Sequence, residues 1–292
     1  MKRAGRVVVD GVLVEAGEPI VSSFDMGFLH GDSLFTTMAV ASGRPVFWED
    51  HLARLRRSAE FFGYPPLPGG EGLLSDCRLA IESSPEPPSA LRLALSRGRA
   101  EAPGIDGISR SVLRVAIPLV RPAPPPEDLR EGVEAEIFFL PWDPSGDPLR
   151  GHKTGNLLWI KWIRSRRRES GSFEQILVSP RGEILEGTLT SVFGVDREGV
   201  LRTAPLSAGV LPGIQRGRIL AWAQSLGHPV REEALRLAEL PALRELFLSS
   251  ATLPVRPLRA LRGAGDPIVY LPPFPVATAY GEHYRSSLAG SS

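Results

Sequence analysis

Between residues 118 and 130 the chain reads "PLVRPAPPPEDLR", with prolines at 122, 124, 125 and 126. Proline fixes its own φ, lacks an amide donor and pushes the preceding residue out of the helical region. No helix or sheet strand can therefore run through this stretch, and the 292 residues divide at it. The expected organisation is a small N-terminal α/β domain over 1–118, a linker over 119–130 and a larger domain over 131–285. Each part is long enough to bury a core of its own.

Hydrophobic periodicity assigns the elements. Residues 6–21 alternate apolar and polar around Asp10-Gly11, which predicts a β-hairpin. "SLFTTMAVASGRPVFW" predicts two strands joined at Ser42-Gly43. "WEDHLARLRRSAEFFGY" predicts a helix with acids in its first turn and Gly63 as its stop. A second helix is expected over 71–83, then paired strands in "SALRLALSRG" and "SVLRVAIPLV". Beyond the linker, "VEAEIFFLPW" reads as a strand and "NLLWIKWIRSRRRES" as a helix. Residues 173–205 read as three strands with turns at "SPRGE" and "DREG". "GIQRGRILAWAQSLG" reads as a helix opened by Pro212-Gly213 and closed by Gly227, "ELFLSSATLPV" as a strand entering a polar loop, and "SSLAGSS" as a disordered tail.

Composition removes several function classes. The formal net charge is +1, which gives no bulk attraction for nucleic acid or an anionic membrane. The run Arg164 to Arg168 is followed by Glu169 and reads as the solvated end of a helix. A single cysteine, Cys77, allows no intrachain disulfide and no thiolate metal site, and no metal is expected. With no leader and no long apolar run, a cytoplasmic location is expected. The basic residues are also lopsided: of 34, only Lys2, Lys153 and Lys161 are lysines. A lysine can lose its proton and form an imine, which arginine cannot do. Lys2 is terminal and Lys161 sits between Trp159 and Trp162 on the expected helix, so Lys153 is the candidate.

Lys153 lies in "GDPLRGHKTGNLLW", a near-miss to the phosphate loop G-x-x-x-x-G-K-[ST] with His152 as the extra residue. The proline-rich segment upstream is no strand, so the loop lacks its required context. Other groups are individually weak. Glu186, in the apolar run "ILEGTLTSVFGV", needs a positive partner, either an arginine or a ligand. Arg54 borders the apolar stripe of its helix, facing a buried anion or snorkelling to water. "LPGIQRG" offers the N–H groups of a helix start, and "SSAT" hydroxyls and N–H groups at a strand end. Together, an imine-forming lysine, a carboxylate for a pyridinium nitrogen and an arginine with a helix N-terminus for a phosphate fit pyridoxal 5'-phosphate.

Five ordered segments carry a resemblance: "DMGFLHGDSLFTTMAVASGRPVFWEDHLARLRRSA", "HKTGNLLW", "GEILEGTLTSVFGV", "LSAGVLPGIQRGRIL" and "LSSATLPVRPL". They are similar to the class IV aminotransferase family, the fold-type IV pyridoxal-phosphate enzymes, over nearly the whole chain. The resemblance implies an α+β fold of two domains, the cofactor between them, and a homodimer. It implies Lys153 as the Schiff-base lysine, Glu186 as the partner of the pyridine nitrogen and Arg54 as a phosphate ligand. Ile214 and Gln215 would supply phosphate-binding N–H groups, with Ser250 and Ala251 in a second phosphate loop. Three positions depart from the family: Ser191 for asparagine, Gln215 for threonine, and Ala251 for threonine or asparagine.

Within the family, "FTT" at 35–37, "LSRGRAEAPGI" and "LPVRPL" look most like aminodeoxychorismate lyases, which form 4-aminobenzoate and pyruvate for folate synthesis. Branched-chain and D-amino-acid aminotransferases usually carry glutamate at the Thr36 position. The lyase resemblance implies an external aldimine, with Lys153 removing the proton from the amine-bearing carbon. It makes Thr37 a polar group beside Lys153, and His30 and Arg97 ligands for substrate carboxylates. Turn and hairpin-loop roles for His30 and Arg97 remain equally open. Aminotransfer would use the same Lys153 and Glu186, whereas a non-catalytic phosphate-binding protein would need neither.

Overall fold

The computed structural model describes residues 5–102, 104–107, 111–123 and 125–289. It separates into two compact units, the first formed by 1–123 together with 152–157 and the second by 124–151 together with 158–292. The lysine segment, placed by the sequence reading in the C-terminal domain, is thus part of unit 1. Leu119 still belongs to a strand and a helix begins at Pro126, so the extended connector is shorter than 119–130.

Unit 1 contains β1 (Arg6–Val9), β2 (Val12–Glu15), α1 (Met26–His30), β3 (Ser33–Ala41), β4 (Arg44–Pro45), α2 (Trp48–Phe61), α3 (Gly70–Glu82), β5 (Ala90–Ser96) and β6 (Leu113–Leu119). The strands form one antiparallel sheet in the order β2-β1-β6-β5-β3-β4. Alternation decides its faces. Leu34 and Met38 of β3 and Leu91, Leu93 and Leu95 of β5 turn inward. They pack with Leu52, Leu55 and Ala59 of α2 and Leu73, Cys77 and Ala80 of α3. Phe35, Thr37, Arg92 and Ala94 occupy the other face, since Phe35 pairs with Ala94 and Thr37 with Arg92.

Unit 2 contains α4 (Pro126–Arg130), β7 (Val133–Phe139), α5 (Leu158–Ser170), β8 (Glu174–Val178), β9 (Ile184–Gly187), β10 (Ser191–Val195), β11 (Leu201–Thr203), α6 (Ile214–Ser225), β12 (Val230–Glu232), β13 (Glu245–Ser250), β14 (Leu253–Arg262), β15 (Ile268–Val269) and α7 (Pro275–Ala289). The sheet runs β12-β11-β10-β13-β14-β7-β8-β9, and β9 pairs back onto β10. Strands β10, β13, β14, β7, β8 and β9 therefore make a closed circuit, and the closing register sets Ser191 opposite Glu186. Closure leaves no free edge within the circuit.

Several elements differ from the sequence reading. The region expected to hold three strands holds four, because Thr188 to Thr190 break β9 from β10. That break is organised by Glu174, only 2% exposed. Its carboxylate accepts from Thr188, from Thr190, from the Leu189 and Gln175 amides and from Arg164. The polar loop expected after Ser250 is the long strand β14, whose two prolines mask its pattern. Ser286 to Ala289 continue α7, and only 290–292 of the expected disordered tail lie outside the described residues. The buried Glu245 carboxylate caps α7 by accepting the Val276 and Ala277 amides.

No helix among the described residues is long and apolar enough to cross a membrane. One turn can be tested directly. Gly209 has φ +77°, and a Cβ there would lie 2.2 Å from the Pro144 carbonyl oxygen, which is backbone and cannot swing aside. Gly209→Ala should cost roughly 2–4 kcal/mol, from left-handed strain plus overpacking, measured as a lower denaturation midpoint with unchanged slope.

Candidate active site

In unit 2 the closing pair of the circuit collects polar groups. The Leu211 amide donates to Glu186 Oε2 at 3.0 Å, and Arg150 Nη2 stands 3.8 Å from Oε1. That separation is too long for a hydrogen bond, and Arg150 Nη2 is buried with no hydrogen-bond partner. Arg150 is held in place by donating from Nε to the Gly209 carbonyl at 3.1 Å and by lying over the Trp159 ring. Glu186 differs from Glu174 in this respect. The Glu174 carboxylate is saturated by structural donors, whereas the arginine beside Glu186 stays at arm's length.

Helix α6 starts beside this pair. Gly213 is its N-cap and supplies no side-chain capping bond, which leaves the amides of the first turn to an outside acceptor. A Cβ on Gly213 would lie 3.0 Å from Ser191 Oγ, so the helix start sits directly over Ser191. Across the ladder from Ser191 is Ser249. Gln215 and Ser249 are each 1% exposed, and among the described residues Ser249 Oγ and both amide atoms of Gln215 have no hydrogen-bond partner. Buried polar atoms are ordinarily paired. Three orphans around a bare helix N-terminus and a carboxylate describe a cradle for an anionic, hydrogen-bonding group. A phosphate has that chemistry.

The sequence reading placed Ile214 and Gln215 here, and the structure adds the Gln215 side chain and Ser249. Ser250 ends β13, paired to Leu253, and Ala251 with Thr252 makes the tight turn to β14. Ser249 was passed over because strand alternation alone does not reveal a buried hydroxyl that lacks a partner. A crevice of about 620 Å³ elsewhere in unit 2, walled by Val255, Pro257, Phe274, Ala277 and Arg285, contains none of these residues.

In unit 1, Lys153 rests on β3. The Phe35 amide donates to the Lys153 carbonyl at 3.0 Å, the Gly155 amide donates to the Ser33 carbonyl at 2.7 Å, and Thr154 bridges Leu34. Lys153 Nζ lies 4.9 Å from the Phe35 ring centroid. It therefore stands over the sheet face that bears Thr37. Arg92 shares that ring, with its guanidinium carbon 3.6 Å from the centroid. Burial lowers the pKa of Arg92, and among the described residues its guanidinium has no hydrogen bond or ion pair. The reading of the sequence missed Arg92, yet "ALRLALS" carries a signal: a lone arginine on the face opposite three buried leucines.

Arg54 is 5% exposed on α2. Its Nη2 donates to Thr36 Oγ1 at 3.0 Å, and Thr36 Oγ1 is 2.6 Å from His51 Nδ1. Burial, then the Arg57 charge, lowers the Arg54 pKa to about 10, so it remains cationic at neutral pH. Thr36 is thus the threonine tied to Arg54, and Thr37 points to the opposite face. His30 ends α1 at the surface, before the left-handed Gly31. Arg97 is committed internally: its Nε donates to Asp32, Nη1 to the Gly63 carbonyl at 2.8 Å and Nη2 to the Phe62 carbonyl at 2.8 Å. Three of its five N–H donors therefore fasten the end of α2, which gives Arg97 a structural role whatever its remaining donors meet.

Comparison with known proteins identifies the family. The model of the amino-transferase class IV family matches residues 33–261. The D-alanine aminotransferase of Bacillus licheniformis is 26% identical over 264 residues, covering 88% of this chain and 89% of that one. The branched-chain-amino-acid aminotransferase of Escherichia coli K12 is 27% identical over 272 residues, covering 90% and 86%. A Legionella pneumophila crystal structure, provisionally named a 4-amino-4-deoxychorismate lyase, superposes with a TM-score of 0.83 at 20% identity, covering 93% of this chain and 96% of that one. The chain belongs to the class IV aminotransferase family of pyridoxal-phosphate-dependent enzymes.

Proposed function

We propose that this protein is a lyase acting on 4-amino-4-deoxychorismate, releasing 4-aminobenzoate and pyruvate. The observation that carries the reading is the shared face of β3 and β5, where Lys153 and Arg92 meet on the Phe35 ring with Thr37 alongside. It provides a base, an uncommitted guanidinium and a hydroxyl, and so suits an amine that also bears carboxylates. Thr36 supports the lyase over the aminotransferases, because it puts a neutral hydroxyl where the aminotransferases usually carry a glutamate.

Bound pyridoxal phosphate supplies an electron sink conjugated to the amine-bearing carbon. Glu186 would hold a proton at the pyridine nitrogen, and the Ile214 and Gln215 amides, the Gln215 side chain and Ser249 would hold the phosphate; the family resemblance adds Arg54 as a phosphate ligand. Lys153 Nζ takes the proton from the amine-bearing carbon, acting as general base. Arg92 anchors a substrate carboxylate, and Thr37 donates a hydrogen bond beside Lys153. Aminotransfer to a keto acid would need the same residues with a proton returned elsewhere, and the D-alanine and branched-chain relatives favour it as the second reading. A homodimer is proposed from the family resemblance.

Two measurements test this proposal. Purified protein should absorb in the visible band of a lysine-bound cofactor and lose that band in Lys153→Ala. Given aminodeoxychorismate, it should release 4-aminobenzoate and pyruvate in equal amounts, and Arg92→Ala should raise KM about tenfold or more through loss of a charged hydrogen bond. Amino transfer from D-alanine or a branched-chain amino acid to 2-oxoglutarate, without lyase products, would move the assignment to the second reading.

The cradle gives a separate prediction with opposite signs in apo- and holoprotein. Ser249→Ala and Gln215→Leu remove buried groups that have no partner, so apo-stability should change by less than about 1 kcal/mol or rise. Affinity for pyridoxal phosphate should nevertheless fall about tenfold or more in each, read by titrating apoprotein.

A further inference from the structure

His152, the residue that spoils the phosphate-loop pattern, has a place in unit 1 that the chemistry above does not use. Its Nδ1 is 2.9 Å from Ser58 Oγ on α2. Its ring stacks on Phe61, with centroids 4.2 Å apart and planes at 27°, and meets Phe62 edge-on at 5.0 Å. Burial, then repulsion from the Arg57 guanidinium, holds the imidazole below its ordinary pKa. The neutral ring can stack without burying a charge.

On the other side of Lys153 the chain is fastened to β3. The Phe35 amide holds the Lys153 carbonyl, and the Gly155 amide donates to Ser33. Position 155 has no room to spare, since a Cβ there would lie 2.0 Å from Ser33 Oγ. Gly155 therefore permits close approach to Ser33. Lys153 thus has a ladder to β3 after it and an aromatic grip on α2 immediately before it. The ladder fixes the height of the backbone above the sheet, and the ring fixes its rotation about the strand direction.

The geometry points to His152 as a positioning residue: its ring, clamped by Phe61 and Ser58, sets the direction in which Lys153 projects over Phe35. This inference rests on the reading of Lys153 as the amine that reacts with the cofactor. A lysine with four rotatable side-chain bonds reacts in one geometry only if its backbone is held, and the stacked ring belongs to the residue immediately before it. His152 acts through Lys153 and touches no reacting atom.

The test uses the full-length apoprotein. In His152→Ala, and independently in Phe61→Leu, amide hydrogen exchange at Phe35 and Gly155 should quicken about tenfold, the scale of one lost aromatic contact. Exchange at Leu93 and Ala116, deeper in the same sheet, should not change. Pyridoxal, which lacks the phosphate, then reports on Lys153 alone. Its adduct, reduced by borohydride to a stable secondary amine and located by mass, should form with about tenfold lower affinity in both variants. His152→Phe, which restores the stack without the Ser58 contact, should recover most of that loss. Wild-type exchange at Phe35 and Gly155 together with wild-type pyridoxal affinity in His152→Ala would overturn the inference. So would loss of affinity that His152→Phe fails to rescue. If pyridoxal labels a residue other than Lys153 in the unaltered protein, the lysine assignment fails, while the exchange rates still decide whether His152 clamps the segment.

Discussion

The register that closes the sheet of unit 2, Glu186 opposite Ser191, is the constraint on which the cofactor cradle depends. A strand pair one residue out of step turns every side chain to the other face. With the observed register, the Glu186 carboxylate meets the Leu211 amide, Ser191 lies under Gly213, and Ser249 faces Ser191 across the ladder. The start of α6 is thereby brought to one end of the circuit beside a carboxylate. Glu174 secures that register from outside the cradle, since its carboxylate gathers the three residues that separate β9 from β10.

Buried charge in this protein divides into groups that are finished and groups that are not. The carboxylates of Glu174 and Glu245 are taken up by donors of the fold, and Arg97 is tied to Asp32. Among the described residues, Arg92, Gln215, Ser249 and Arg150 Nη2 are not so paired. Desolvating a polar group without a partner is unfavourable, and a fold retains such groups where a ligand completes them.

Much of this was legible in the sequence because it rests on local rules. The hairpin at Asp10-Gly11, the helix stopped near Gly63, the Gly213 helix start and the singular Lys153 follow from turn chemistry, capping and residue type. Other features were hidden by competing signals. Strand β14 carries Pro254 and Pro257, which read as loop residues yet sit in a ladder beside β13 and β7. Thr36 and Thr37 are adjacent and identical, so only the pairing of β3 tells which one reaches Arg54. Arg97 looked like a hairpin-loop cation until Gly63 and Phe62, far away in sequence, came within reach of its guanidinium.

The chain by itself determined the family and the cofactor chemistry, and it offered Lys153 and Glu186 as candidates for the reactive lysine and the carboxylate partner of the ring. Those depend on residue types that no other side chain can replace, in an order that can be read along the chain. Tertiary structure alone decided which neighbour of each motif has its valences filled. It fastened Arg97, left Arg92 uncommitted beside Lys153 and made His152 a clamp. It also assigned the lysine segment to unit 1, although that segment follows the proline-rich break. Hydrogen-bond satisfaction is a property of atoms close in space, and contacts such as Arg97 with Phe62 or His152 with Ser58 join residues that no local pattern connects.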